Sequence, residues 1–329
     1  MPTIKTSDTK PIKTSEEASL FDLGEGIAYF EMHGKLNIIE DNLLSMLNSA
    51  LDEVETNYSG LVVGTEADHF SVGLNLKLLL ERARSQNWKA ISNTLRNLQK
   101  VCIRMRLSSI PVVAATTGMA LGGGCELAFG ADAVQAHTNS KLGLVELRVG
   151  LIPGGGGTTE MAFRCLDDKD TSTPIQQLMP SLLKTFNTIR EAKVSENSVE
   201  AKKLGFLRES DLITTDRINL LHDAKQFAIS LHNNNYQPHQ PRNIFVLGEE
   251  GINYINLHIQ KLREQNAIND YEQTLAEKLA YVICGGRLSK PQFVTEQYML
   301  DLEHEIFLSL CSEPDTHAMI ESTINKSKK

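Results

Sequence analysis

The chain has 329 residues, 41% of them apolar, enough to bury one large core or two modest ones. A formal charge of -8 and an isoelectric point near 5.7 argue against the broad basic face that nucleic acid requires and leave room only for a local basic patch. Five widely spaced cysteines, nine histidines without ligand spacing, and no CxxC or HExxH point to reduced thiols in a cytoplasmic protein with no metal site.

Residues 1–17 are polar and lack a hydrophobic period, so they are expected to form a flexible lead, with order beginning near Ser19. The start, MPTIKTSDTK, has no apolar signal region and no apolar run reaches membrane-spanning length, so a soluble, non-exported protein with no membrane partner is expected. Ser19 to Leu23 and Ile27 to Met32 flank the turn Gly24-Glu25-Gly26 and predict a hairpin. Asp41 to Val54 carries Leu43, Leu44, Met46, Leu47, Leu51 and Val54 at helical spacing, and Leu61 to Gly64 reads as a short buried strand. Leu76 to Met105 predicts two helices broken near Ser85 to Asn87, followed by a strand from Pro111 to Ala115. Strands alternating with helices indicate parallel pairing and an α/β fold. From about Pro174 onward the pattern is mostly helical, strongest at Glu249 to Arg263, Tyr271 to Ile283 and Glu296 to Leu310.

Within IPVVAATTGMALGGGCELAFGADAV, Ile110 to Val134, the only charged residues are Glu126 and Asp132. An ionised carboxylate in so apolar a run loses several kcal/mol of solvation unless it is paired or neutralised, and a functional role is one account of that expense. Gly122-Gly123-Gly124 separates a strand from a helix, so its N–H groups point out of a helix N-terminus. Glu126, three residues after Gly123, lies on the same helical face, about 5–6 Å away. The bland alternative is a tight turn followed by an acid that complements the helix dipole. LGLVELRVGLIPGGGGTT, Leu142 to Thr159, repeats the arrangement: Glu146 is set among Leu144, Val145 and Leu147, and a second glycine run introduces a helix near Thr158. There the bland alternative is a surface ion pair between Glu146 and Arg148. No Gly-Lys-Ser/Thr follows either run, which excludes a Walker phosphate loop. Two glycine-linked carboxylates within one αβ stretch suit acid–base chemistry better than two coincidences.

These two segments, with HFSVGLNL at His69 to Leu76 and VSENSVEAKKLGFL at Val194 to Leu207, resemble the crotonase, or enoyl-CoA hydratase, superfamily over about Ser19 to Leu231. The resemblance implies a ClpP/crotonase-like fold with stacked, parallel-rich sheets surrounded by helices. It implies an acyl-CoA thioester substrate, with coenzyme A as part of the substrate and no separate cofactor. Carried over residue by residue, it places oxyanion-hole N–H groups at Leu74 and Gly123, water activation at Glu126, and proton delivery to the α-carbon at Glu146. Lys77, Arg82 and Arg84 are the candidate cations for the coenzyme's phosphates, against the alternative of a solvated helix face. Leu74 stands where the family usually has a small residue, Asn75 where an acid is common, and Leu166 to Thr188 looks longer than in minimal members.

LAYVICGG at Leu279 to Gly286 and QYMLDLEHEIFLSLC at Gln297 to Cys311 resemble the hydratase portion of fused 3-hydroxyacyl-CoA dehydrogenase/enoyl-CoA hydratase proteins. No GxGxxG opens a βαβ unit here, so the implied reading is a hydratase portion, with a dehydrogenase as neighbouring domain or partner. The expected organisation is a lead at 1–17, a core at 18–235 and a C-terminal helical segment at 236–329, with a homo-oligomer held open. Δ3,Δ2-enoyl-CoA isomerisation and a non-catalytic assembly module are the competing functions. The first needs mainly Glu146, and the second would tolerate a broken carboxylate pair.

Overall fold

The computed structural model describes residues 10–167 and 169–326. In chain order its strands are β1 (Lys13–Thr14), β2 (Ala18–Asp22), β3 (Ile27–Met32), β4 (Gly60–Gly64), β5 (Val112–Thr116), β6 (Met119–Leu121), β7 (Ala133–His137), β8 (Lys141–Gly143), β9 (Leu212–Thr214), β10 (Asn243–Val246) and β11 (Gln292–Thr295). The helices are α1 (Asp41–Asn57), α2 (Leu76–Arg84), α3 (Trp88–Arg106), α4 (Gly123–Phe129), α5 (Gly157–Leu166), α6 (Ile175–Arg190), α7 (Ser198–Leu204), α8 (Leu220–Asn233), α9 (Gly248–Glu264), α10 (Asp270–Ile283), α11 (Glu296–Cys311) and α12 (Pro314–Lys326). They form two compact units, one drawn from 1–75, 97–143 and 194–240, the other from 76–96, 144–193 and 241–329. Each unit is assembled from separated stretches, an arrangement that the contiguous 18–235 and 236–329 reading does not express.

The first unit is built on a seven-stranded sheet in the order β1-β2-β3-β4-β5-β7-β9. The hairpin predicted around Gly24 is present, with β2 antiparallel to β3, and from β3 onward every pairing is parallel. Parallel neighbours need a crossover, and α1 supplies the first, between β3 and β4, burying the leucines at 43, 44, 47 and 51 and Val54. Leu61, Val62, Val63, Val112 and Val113 are wholly buried, as expected of strands covered on both faces. One cluster joins Phe21, Ile27, Tyr29, Val62 and Val113 to Leu220, Ala224 and Ala228 of α8. Each large side chain buried there contributes roughly 1.5–3 kcal/mol, and the alanines of α8 permit close approach to the sheet.

A second, small parallel sheet pairs β6 with β8 and is extended by a bridge from Ser71 to Ala120. Order begins earlier than Ser19: Lys13 and Thr14 pair with Leu20 and Ser19, and the Lys13 ammonium bonds Ser49 and Glu53. Of the expected lead, 1–9 lie outside the described residues. The resemblance over Val194 to Leu207 implies a short helix, a glycine and an apolar strand, and the strand is not found there. Gly205 ends the helix at φ +85°, but Phe206 and Leu207 remain non-strand and β9 begins only at Leu212.

The second unit is mainly helical, as its periodicity predicts, with α9, α10 and α11 within two residues of the expected bounds. A capping box starts α10: the Asn269 side chain accepts from Glu272 N–H while the Glu272 carboxylate accepts from Asn269 N–H. A short antiparallel two-stranded sheet, β10 with β11, was not anticipated; Phe245 and Phe293 pack across it with ring centroids 5.2 Å apart. No helix among the described residues is long and apolar enough to cross a membrane.

Candidate active site

Leu74, Gly123 and Glu126 are brought together in the first unit. The segment 69–74 is laid on the small sheet: Phe70 N–H donates to Thr117 O, Ser71 N–H to Met119 O, and Leu121 N–H to Ser71 O, all at 2.9–3.0 Å. The Ser71 hydroxyl donates to Asn37 O at 2.7 Å and accepts from Gly73 N–H at 3.1 Å. Asn37 in turn donates to Thr65 Oγ1 and His69 O, each at 3.0 Å. A polar knot buried at Asn37, Thr65 and Ser71 therefore fixes the loop before it reaches Leu74.

The orientation of the Leu74 amide follows from its own peptide plane. Gly73 O accepts from Ile39 N–H at 2.9 Å, and in a trans peptide the Leu74 N–H points the opposite way. Gly122 O is likewise taken by Glu126 N–H at 3.0 Å, so the Gly123 N–H projects from the first turn of α4. Among the described residues neither amide meets an acceptor. Two glycines make the approach of these loops feasible. Gly73 has φ +92°, and a Cβ there would stand 2.9 Å from Leu121 O and 3.2 Å from Gly123 N. A Cβ at Gly124 would meet Ser71 O at 2.5 Å. Two N–H donors on touching backbone segments, neither used internally, are what a developing oxyanion requires.

Glu126 follows within the same first turn, and its side chain is almost fully shut from solvent, the residue being 2% exposed. Every residue of α4 is buried, so the carboxylate is carried into an apolar interior by a helix of seven residues. Asp132, the other charge in that run, has a structural role. It accepts from Val112 N–H at 2.7 Å and Tyr236 Oη–H at 2.9 Å, and His239 Nε2 lies 3.3 Å away. Burial raises its pKa to about 6, against the opposing pull of those two donors and of the Arg208 and Arg106 guanidiniums.

Glu146, Lys77, Arg82 and Arg84 belong to the second unit. Glu146 opens a single 3-10 turn, Glu146–Val149, ended by Gly150 at φ +77°; Leu151 N–H returns to Glu146 O at 3.1 Å. The residue is half-buried and its Oε2 is inaccessible to water. Arg148, the suspected surface partner, sends its guanidinium to Ala192 O at 2.6 Å. Along α2, Lys77 is exposed with Glu81 at 3.9 Å, Arg82 donates to Thr94 Oγ1 at 2.8 Å, and Arg84 pairs with Glu321 at 2.9 Å. Lys77 is thus the least engaged of the three candidate cations. Leu79 and Leu80 are buried.

Sequence reasoning missed three buried carboxylates in the second unit, Glu160, Glu296 and Glu303. Glu303 on α11, fully buried, accepts from Gly156 N–H at 2.8 Å and Thr159 N–H at 2.5 Å, and so caps the glycine run and the start of α5. Glu160 pairs with Arg164 and Arg242, Arg242 also binds Glu296, and the guanidinium lies 4.0 Å over the Phe163 ring. The one signal available beforehand was a charge at an otherwise apolar helical position in each case.

Residues 22–166 match the Enoyl-CoA hydratase/isomerase family. A Bacillus subtilis protein named probable 3-hydroxyacyl-CoA dehydrogenase is 38% identical over 96% of this chain, and a Rickettsia felis protein named putative fatty acid oxidation complex trifunctional enzyme is 26% identical over 94%. The chain spans 39% of the length of each of these two relatives. Mouse mitochondrial methylglutaconyl-CoA hydratase is 33% identical over 48% of this chain and 49% of its own length. Among solved structures, an enoyl-CoA hydratase from Bacillus halodurans superposes with a TM-score of 0.62, covering 93% of this chain and 99% of that one at 17% identity, a likeness of fold. The family match over residues 22–166 and the names of the relatives fit a member of the crotonase superfamily, and the superposed structure shows the crotonase fold.

Proposed function

We propose that the chain catalyses the reversible addition of water to a 2-trans-enoyl-CoA, giving a 3-hydroxyacyl-CoA, as in fatty acid β-oxidation. The observation that carries this reading is the pair of backbone amides, Leu74 and Gly123, on two segments in contact, with the buried Glu126 in the same first turn of α4 as Gly123. In the proposed reaction both amides donate to the thioester oxygen, which gains negative charge when water adds to C3. Glu126 takes the proton from that water as its oxygen bonds to C3. Glu146 gives a proton to C2 as the enolate collapses, and the roles reverse for dehydration. Oxyanion donors of this kind each contribute roughly 3–4 kcal/mol to the transition state. Lys77, with Arg82 and Arg84 beside it on α2, is proposed for the coenzyme's phosphates. The relatives' printed names support a 3-hydroxyacyl-CoA dehydrogenase as the partner that would consume the product.

The test is loss of the conjugated enoyl absorbance with crotonyl-CoA and with a longer 2-enoyl-CoA. Wild type should turn over at least one of them, and Glu126→Gln and Glu146→Gln should each lower kcat by roughly 10²–10⁴-fold, the usual weight of one acid–base group. The family's printed description also names isomerases, so a 3-enoyl-CoA is the control substrate. Isomerisation that survives Glu126→Gln while hydration is lost assigns Glu126 to water alone. No turnover of either 2-enoyl substrate by wild type removes the hydratase reading.

A further inference from the structure

Helix α9 turns a line of four side chains to solvent: Glu250, Tyr254, Leu257 and Lys261. Their spacings of four, three and four residues keep them on one face, over about 16 Å of helix. Tyr254 is 37% and Leu257 60% exposed, while Ile252, Ile255 and Ile259 on the opposite side are buried. Beside this line α6 contributes Ile175, Gln176 and Met179, and the two helices border an open groove of about 510 Å³. Among the described residues neither Glu250 nor Lys261 enters an ion pair within the chain. A single exposed leucine is ordinary on any surface. An aromatic and an aliphatic side chain lined up over a groove, with an acid at one end and a base at the other, form a patterned face.

The pattern is its own complement. The pair Glu250 and Lys261 and the pair Tyr254 and Leu257 share one midpoint, between Ile255 and Asn256. A twofold axis through that point sets Glu250 of one copy against Lys261 of the other, and Tyr254 against Leu257, twice over. A parallel pairing would set like charges together, so the charges select the antiparallel one. Self-complementarity of this kind is the requirement of an isologous contact, in which one patch meets itself. An acid early and a base late in α9 also complement the helix dipole, and their equal distance from the apolar centre is what lets two copies match. We propose that this face joins two copies of the chain through an antiparallel pairing of α9 with α9, flanked by Ile175 and Met179 of α6. A face of three helical turns and a flank belongs to interfaces below ~1,200 Å² in total, where association is weak and reversible. The pair should therefore form and dissociate across the micromolar range.

Sedimentation velocity over that range, on the whole chain, tests the proposal. Wild type should shift from monomer to dimer with concentration. Glu250→Lys and Lys261→Glu should each remain monomeric at the top concentration, because each creates two like-charge contacts. The double variant Glu250→Lys/Lys261→Glu should regain the dimer, and Leu257→Asp should lose it. Thermal unfolding of every variant, expected to match wild type because all three positions are exposed, separates a lost contact from a lost fold. A wild type that stays monomeric throughout overturns the proposal. A dimer indifferent to these substitutions, or a folded double variant that fails to reassociate, overturns it equally.

Discussion

Asp132 accepts two hydrogen bonds inside the first unit while its side chain is only 4% exposed. Burial holds its pKa near 6, above the ordinary carboxylate value of 3.8, so across that window the folded protein keeps a proton that the unfolded chain has released. The folded state binds more protons there, and stability from this group falls as pH rises toward 6 and is constant above it. Asp132→Asn should therefore cost more stability at about pH 4.5 than at about pH 7, by roughly 1–3 kcal/mol, in urea unfolding. An equal cost at both pH values would show that the acid titrates normally. Gly73 is the other decisive residue at this scale. At φ +92°, with a Cβ 2.9 Å from Leu121 O, an alanine there is strained whatever rotamer its neighbours adopt. Gly73→Ala should lower stability by roughly 1–3 kcal/mol. On the proposed reading it should also lower kcat for hydration more than it raises KM, since it displaces the Leu74 amide. Unchanged kcat in a folded variant would remove Leu74 from the oxyanion hole.

Elements here take their meaning from partners distant in sequence. The first turn of α5 begins on a glycine run that the sequence marks clearly, yet its capping acid, Glu303, stands 144 residues later on α11. The carboxylate accepts from two backbone N–H groups with no access to water, so Glu303→Gln must turn an amide NH2 toward one of those donors. A loss of about 1–3 kcal/mol is expected in chemical denaturation, the usual effect of one unsatisfied buried donor. A variant as stable as wild type would show that Glu303 does not hold the start of α5. Helices α9, α10 and α11 were legible because their apolar period is local. Helix α6 falls within the stretch from Pro174 onward that reads as mostly helical, and Pro180 is accommodated exposed in its second turn. The pairing of β10 with β11 was hidden because 45 residues separate these four-residue strands, and pairing at that separation leaves no periodic mark.

For the molecule as a whole, the two compact units interleave along the chain, so no single boundary in the sequence divides them. The sequence alone determined the α/β class of the first unit, the helical character of the second, the turn at Gly24 and the two glycine-linked carboxylates. Each of these depends on short-range information: a period of two or 3.6 residues, a glycine where the backbone must turn, a charge where the surroundings are apolar. Tertiary structure decided what those residues face. It oriented the Leu74 amide through Ile39 and secured the preceding loop through Asn37 and Ser71. It gave Asp132 to Val112 and Tyr236 and left Glu126 enclosed. The physical reason is the same throughout: burial and hydrogen-bond direction belong to pairs of groups, and the chain brings those pairs together only after long loops have closed.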